Sequence, residues 1–126
     1  ALHQGQSVAC ALFITGNQRL YGRYWGCQQE YSMLHFEACY YQGIDYCITQ
    51  GIPHFDAGAQ GEHKLARGFI PTPTHSCHWL LEAGFNPAIG AFCRQEAHQV
   101  RAYMDHAATT LPYKQGMEPK PTKVRP

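Results

Sequence analysis

The hydrophobic period of this sequence changes from that of a strand to that of a helix within residues 7–50, and this change is its strongest constraint on the fold. Apolar residues are nearly continuous from Ser7 to Thr15, and ring residues fill the run from Arg19 to Trp25. Between them, Gly16-Asn17 is a dipeptide typical of tight turns. Two strand-like runs joined by so short a turn predict a β-hairpin.

A helix is predicted from Leu34 to Gln50, where apolar side chains recur at a spacing of three and four residues. Ser32 is a candidate N-cap, and Gly51 is a candidate helix stop. Apolar side chains cover about two-thirds of the circumference of this helix, so we expect it to be buried on more than one side.

Two further strands and a second helix are predicted after the first helix. His54 to Ala57 completes a strand-helix-strand unit, so this short strand should lie parallel to the preceding one. Thr72 to Leu81 predicts another strand. Asn86 as cap and Pro87 at the first position predict a helix that continues to Ala107. The predicted fold class is α+β, a mixed sheet in the order hairpin, helix, parallel strand, strand, helix, with the helices packed on it.

The length of 126 residues suits one domain, which we expect to span residues 1–111. That segment carries six Lys or Arg and eight Asp or Glu, a balance of −2, whereas residues 112–126 carry four and one, a balance of +3. Residues 112–126 also contain four prolines and almost no apolar side chains, so we expect a disordered basic tail.

Composition also narrows the class of protein. No apolar stretch approaches the roughly 20 residues of a membrane-spanning helix, and no leader opens the chain, so we expect a cytoplasmic protein without membrane insertion. The six cysteines are evenly spread and mostly lie in apolar runs, which predicts buried thiols rather than disulfides. Only 15% of residues are charged, against about a quarter in typical domains, so we expect a partner or ligand to cover part of the surface.

Two loops are candidates for a functional site because ligands collect outside the carboxyl ends of parallel strands. These loops are Gly26 to Ser32 and Gly58 to Lys64, and we expect them to share one rim. In the second loop, Glu62 or His63 could act as a general base, and Gln60, Lys64 and Arg67 could bind substrate, the two cations suiting a phosphate or carboxylate. The alternative is a solvated loop with local ion pairs.

A second group of candidates lies among eight ring residues between positions 21 and 46. Along a regular strand Arg23 and Trp25 share one face and Tyr24 takes the other, so the arginine can stack on rings and bind an anion. His35 and Glu37 lie near the start of the first helix. These five residues are candidate substrate-binding residues, and the structural alternative is an aromatic core with a buried ion pair between Arg23 and Glu37.

We expect no metal site, although ligand types are plentiful. His35 and Cys39 lie four apart, and His75, Cys77 and His78 lie close together, but neither CxxC nor HExxH spacing is present. A nucleophilic pair of Cys77 with His63 rests on composition alone.

Three segments resemble signature segments of the FemAB-like family, bacterial proteins assigned to peptidoglycan biosynthesis or recognition in the GNAT acyltransferase superfamily. They read LYGRYWG at Leu20 to Gly26, LHFEACYY at Leu34 to Tyr41, and GAQGEHK at Gly58 to Lys64 with Arg67-Gly68-Phe69. The resemblance implies a GNAT-like sheet with the hairpin as strands three and four and the His54 strand as strand five. It also implies the carboxy-terminal part of a protein about three times as long.

The resemblance further implies an acyl or aminoacyl transferase whose donor is acyl-CoA or aminoacyl-tRNA. Acetyl-CoA is disfavoured, because Gly26 to Ser32 lacks the Gly-rich turn that cradles pyrophosphate in acetyl-CoA-binding relatives, and Glu30 would repel a phosphate. The expected partners are the missing amino-terminal half, a second copy in a homodimer, and the tRNA or CoA donor. The alternative function is a non-catalytic binding or assembly module that docks through its aromatic surface.

Overall fold

The computed structural model describes residues 1–59, 61–114 and 116–117. They form two compact units, one made of residues 1–60 and the other beginning at Gly61. The first unit contains all five strands among the described residues, and the second is helical and irregular.

The first unit opens with two short antiparallel strands and continues with a three-stranded sheet. The strands are β1 (Leu2–His3), β2 (Gln6–Ser7), β3 (Ala9–Gly16), β4 (Arg19–Cys27) and β5 (His54–Asp56). In the sheet the order is β3-β4-β5, with β3 and β4 antiparallel and β4 and β5 parallel. The predicted hairpin, the parallel strand and the α+β class are confirmed.

The hairpin turn lies one residue later than predicted. Gly16 still pairs with Arg19 in the ladder, and the two connecting residues are Asn17 and Gln18, with φ of 51° and 57°. Positive φ at both central residues is the geometry of a type I′ turn, whose twist matches that of the flanking strands, and Asn tolerates this region well.

A β-bulge at Arg23 changes which side chains of β4 share a face. Leu12 pairs with Tyr24 and Phe13 with Gly22, so Arg23 is left without an opposite residue. Consecutive Arg23 and Tyr24 are therefore both exposed, and the Arg23 guanidinium lies 4.8 Å from the centre of the Tyr24 ring. The prediction that Arg23 shares a face with Trp25 is wrong, because it assumed unbroken alternation along the strand.

The first helix is continuous but changes its winding. It consists of α1 (Leu34–Phe36), a π-helical turn (Glu37–Tyr41) and α2 (Gln42–Gln50). Gly51 ends it as predicted, with φ 65° and its N–H directed at the carbonyls of Cys47 and Ile48. Ser32 does not cap the start: the residue at the cap is Met33, in the left-handed region, and no side chain caps the helix there.

This helix packs on the sheet through one face only. Tyr40, Gly43 and Cys47 are buried on it, and Leu20 is the most buried residue of the sheet at 2% exposed. Gly43 makes the close approach: a Cβ there would lie 2.6 Å from the Phe55 ring and 3.3 Å from the ring of Phe13. Burial on more than one side was a wrong prediction, because a three-stranded sheet covers only one side of a helix; the exposed side carries three large apolar residues, Tyr41, Tyr46 and Ile48.

The second unit contains two 3₁₀ turns and one long helix. The turns are Glu62–Arg67 and Ala83–Phe85, and the helix is α3 (Asn86–Ala108). Pro87 lies in its first turn as predicted, but Asn86 is the first helical residue and not the cap, which is Phe85. The predicted strand at Thr72 to Leu81 does not form, since Pro71 and Pro73 lack the backbone N–H that a ladder requires.

The segment predicted as a tail begins inside the second unit. Tyr113 is half-buried, and its hydroxyl donates a hydrogen bond to the carbonyl of Gly68. Residues 115 and 118–126 of the predicted tail lie outside the described residues. No helix in the described part of the chain is long and apolar enough to cross a membrane.

Burial of the cysteines was predicted wrongly. Of the six, only Cys47 is buried; Cys39 is half-buried and the other four are exposed. Cys10 and Cys27 lie near the open end of the hairpin, and both are exposed. They pair with Gly26 and Ala9, so adjacent rungs of the ladder hold them and they point to opposite faces of the sheet.

Burial raises the pKa of the Cys47 thiol above its usual value. We expect iodoacetamide at pH 8 to alkylate Cys47 at least about tenfold more slowly than Cys10 or Cys93, because the thiolate is the nucleophile and access requires local opening. Since the pKa of Cys47 is raised, its alkylation rate should keep rising with pH above the usual pKa of a thiol. Peptide mass spectrometry over time measures this, and equal rates in the folded protein would contradict the packing described; denatured protein is the control.

Candidate functional site

The two loops predicted to share a rim leave the sheet at different levels. The strand β5 pairs only with the start of β4, and Asp56 at its carboxyl end lies opposite Tyr21. The strand β4 continues to Cys27, six residues farther, which at about 3.3 Å per residue is about 20 Å. The prediction of a shared rim is therefore wrong. Parallel strands bring their carboxyl ends together only when they are paired along their full length.

The chain after β5 turns beside Gly22 of β4. A Cβ on Gly22 would lie 3.6 Å from the carbonyl oxygen of Asp56 and 3.7 Å from Cα of Ala57. The Asp56 carboxylate accepts a hydrogen bond of 2.9 Å from the N–H of Gly58, which ends the strand in an Asx-type turn.

The candidate catalytic residues lie in the second unit, on the Glu62–Arg67 turn. This one turn carries four of the five candidate residues predicted around the second loop, all with charged or imidazole side chains. Glu62 is exposed, and His63, Lys64 and Arg67 are half-buried. The remaining candidate of this loop, Gln60, lies outside the described residues.

The position of the His63 ring depends on Gly61. Gly61 has φ 100°, a conformation that other residues rarely adopt, and a Cβ there would lie 2.3 Å from Cε1 of His63. The imidazole therefore packs directly on the backbone that precedes the turn. Any side chain at position 61 would displace it.

The far end of the turn is held by hydrogen bonds. Arg67 Nη1 donates to the carbonyl of His63 at 2.8 Å. Gly68, with φ 86°, donates its N–H to Leu65 at 3.0 Å, and its own carbonyl accepts from the hydroxyl of Tyr113. Neither Gly61 nor Tyr113 was among the candidate site residues, and the glycines on either side of the charged stretch were the signal for Gly61.

The arrangement can perform acid-base chemistry on an anionic substrate. A carboxylate and an imidazole are adjacent in sequence at the start of the turn, and either can take a proton. One ammonium and one guanidinium follow on the same turn and can bind phosphate or carboxylate oxygens.

The ring residues of the first unit pack the helix on the sheet. His35 lies 5.4 Å from Trp25, 5.4 Å from Phe36 and 5.5 Å from Tyr40, measured between ring centres. Tyr40 is 4% exposed and stacks on Phe36 at 6.1 Å. Of the two interpretations of these rings, an aromatic core accounts for Trp25 and His35.

Arg23 and Glu37 do not form the ion pair of the structural alternative. Both are exposed; Arg23 stacks on Tyr24, and Oε1 of Glu37 accepts a hydrogen bond of 2.8 Å from Nε2 of Gln42. An exposed charge does not carry the desolvation cost that forces pairing in a core. Arg23 and Tyr24 thus present an exposed cation and ring on the outer face of the sheet. Among the described residues, no group of three or more His, Cys, Asp or Glu side chains is placed to hold a metal ion.

Comparison with known proteins shows to which family the chain belongs. The family model named FemAB-like, described as peptidoglycan biosynthesis/recognition, matches residues 1–115. No curated protein matches the chain, and no solved structure does. The match covers the hairpin, both helices and the Glu62–Arg67 turn. The chain therefore belongs to the FemAB-like family.

Proposed function

We propose that the protein is an acyl or aminoacyl transferase of peptidoglycan-precursor biosynthesis. The observation that carries the proposal is the Glu62–Arg67 turn, which gathers a carboxylate, an imidazole and two cations within six residues. Family membership supplies the biosynthetic context.

In the proposed reaction an amine nitrogen attacks the carbonyl carbon of an activated acyl group. A nitrogen-carbon bond forms, and the bond from the carbonyl carbon to the thiolate of CoA or to the ribose oxygen of tRNA breaks. The amine loses one proton to Glu62 or His63, and that proton then goes to the departing sulfur or oxygen. The packing of the His63 ring on Gly61 supports this role, because a general base must be held in place.

Lys64 and Arg67 are proposed to bind the donor. Acyl-CoA and aminoacyl-tRNA are both phosphate-rich, and a guanidinium binds phosphate through several N–H groups at once. Nη1 of Arg67 donates to the His63 carbonyl at 2.8 Å, which holds the guanidinium on the turn. Both donors occur in the cytoplasm, where we propose that the protein acts.

Acetyl-CoA fits this proposal less well than an aminoacyl-tRNA, which has no pyrophosphate to bind. The loop after β4 has no glycine between Gly26 and the helix, and its Glu30 is exposed. The N–H of Gln28 in this loop already donates to the carbonyl of Val8 at 2.8 Å, so it is used within the fold.

A second candidate function is a non-catalytic assembly module, favoured by one surface. Cross-strand pairs Leu12 with Tyr24 and Ile14 with Tyr21 are exposed on the same face of the hairpin. Four large apolar side chains on one sheet face suit a protein contact, for which the rest of its own protein or a second copy are the proposed partners.

A ligand panel separates the two functions. We expect an acyl-CoA or a charged tRNA, added to the full-length protein at 100 times its Kd, to raise the melting temperature by several degrees, since binding at that ratio stabilises by about 2.7 kcal/mol. Uncharged tRNA and free CoA are the controls that show whether the acyl group contributes to binding. Peptidoglycan fragments test whether the acceptor binds as well. If no donor in the panel raises the melting temperature and the protein self-associates in sedimentation experiments, the assembly-module function would be favoured over the transferase function.

A further inference from the structure

The first unit contains a cavity that the proposed chemistry does not use. Its volume is about 320 Å³, within the range of small-molecule sites. It lies where β1 meets the start of the first helix. Its apolar walls come from Leu2, Val8, Tyr31, Met33, Leu34 and Tyr41.

One acidic side chain, Glu37, lines this cavity. One of its oxygens accepts a hydrogen bond from Gln42, and a carboxylate has about four lone-pair sites, so it can accept more. Ala1 also lines the cavity, and its nitrogen donates to the carbonyl of Ala9 at 2.8 Å. The rings of His3 and Tyr31, which both line the cavity, lie 5.6 Å apart between centres and are tilted by 45° to each other.

The backbone around the cavity departs from regular geometry at two places. Met33, a long side chain, has φ 65°, which costs free energy for any residue with a Cβ. The π-helical turn begins at Glu37 and ends at Tyr41, and both of these line the cavity. Single π-helical turns are frequent at binding sites because they redirect side chains that an α-helix would place elsewhere.

We propose that this cavity binds a small organic cation, an ammonium group carried on an apolar body. The apolar walls bury the body of the ligand, and the Glu37 carboxylate pairs with the ammonium near the mouth, where Glu37 is exposed. Tyr31 and Tyr41 add ring faces, which also attract cations. The proposal is independent of the transferase turn, because it concerns binding and lies wholly within residues 1–41.

Calorimetric titration of the full chain with three matched probes tests this proposal. Phenethylamine, 2-phenylethanol and 3-phenylpropionate share an apolar body and differ in charge. We expect the amine to bind at least about fivefold more tightly than the alcohol, the ratio that about 1 kcal/mol of ion pairing produces, and the carboxylate to bind most weakly. Equal binding of the amine and the carboxylate would overturn the proposal.

Variants assign the binding to this cavity. Glu37→Gln keeps the shape and should remove the preference for the amine over the alcohol, whereas Asp45→Asn, an exposed carboxylate of the same helix outside the cavity, should leave it unchanged. An unchanged preference in Glu37→Gln would refute the site.

A third variant tests the role of the strained residue. Met33→Gly should raise the melting temperature by about 4 °C, because glycine adopts positive φ without strain, and should weaken binding of the amine probe because a wall is lost. Greater stability together with unchanged binding would show that Met33 does not form the site.

Discussion

His63→Gln or Glu62→Gln, made separately, should lower the transfer rate by about 100-fold or more in the variant that loses the general base, because a positioned base contributes about 10²–10⁴-fold. The variant at the other position should keep most of its activity. The measurement is kcat with the donor that stabilises the full-length protein. Because Glu62 is exposed, replacing its carboxylate by an amide should change neither the stability nor the fold of the protein.

Gly61→Ala separates the two candidate bases. Alanine at φ 100° is strained, and its Cβ would meet the His63 ring at 2.3 Å, so the imidazole must move while Glu62 keeps its carboxylate. If His63 is the base, kcat should fall with little change in KM. Full activity in both glutamine variants would contradict the catalytic role of this turn, and loss of stability without loss of specific activity would make the turn structural.

Gly43→Ala should lower the free energy of unfolding of the first unit by about 2 kcal/mol, the usual size of an overpacking penalty. Helix propensity alone predicts the opposite sign, a gain of about 1 kcal/mol. The contacts decide the sign: the new Cβ would lie 2.6 and 2.7 Å from two atoms of the Phe55 ring. That ring cannot retreat easily, because Phe13 lies 6.0 Å from it, centre to centre.

Gly90→Ala is the matched control, since Gly90 lies inside α3 and its nearest neighbour is Nη1 of Arg94 at 3.5 Å, an ordinary contact. That variant should gain about 0.5–1 kcal/mol. Urea denaturation of both variants, followed by fluorescence, gives the two free energies. A gain in both would mean that the first helix does not approach the sheet as closely as described.

Most of the first unit could be predicted from the sequence. The period change, the Asn in the hairpin turn and Gly51 are local signals, and they located the hairpin, the helix and the parallel strand within one or two residues. The strand predicted at Thr72 to Leu81 is wrong because an extended run was interpreted as a strand although Pro71 and Pro73 lack the N–H that a ladder requires.

The candidate site was predictable in its residues but not in its geometry. Charged and imidazole side chains from Glu62 to Arg67 are close in sequence, so any compact turn brings them together. The ion pair of Arg23 with Glu37 failed because pairing was inferred from assumed burial, and both side chains are exposed.

In the first unit the sequence by itself determined the hairpin, the helix and the parallel strand, because these depend on the spacing of apolar side chains and on glycine and asparagine at a few positions. Only the tertiary structure decided the bulge at Arg23, the six-residue offset between the ends of β4 and β5, and the contact of Gly43 with Phe55. Each of these depends on pairing between residues far apart in the chain. Such pairing is set by how side chains from different elements fit together, and one segment's own pattern carries no information about it.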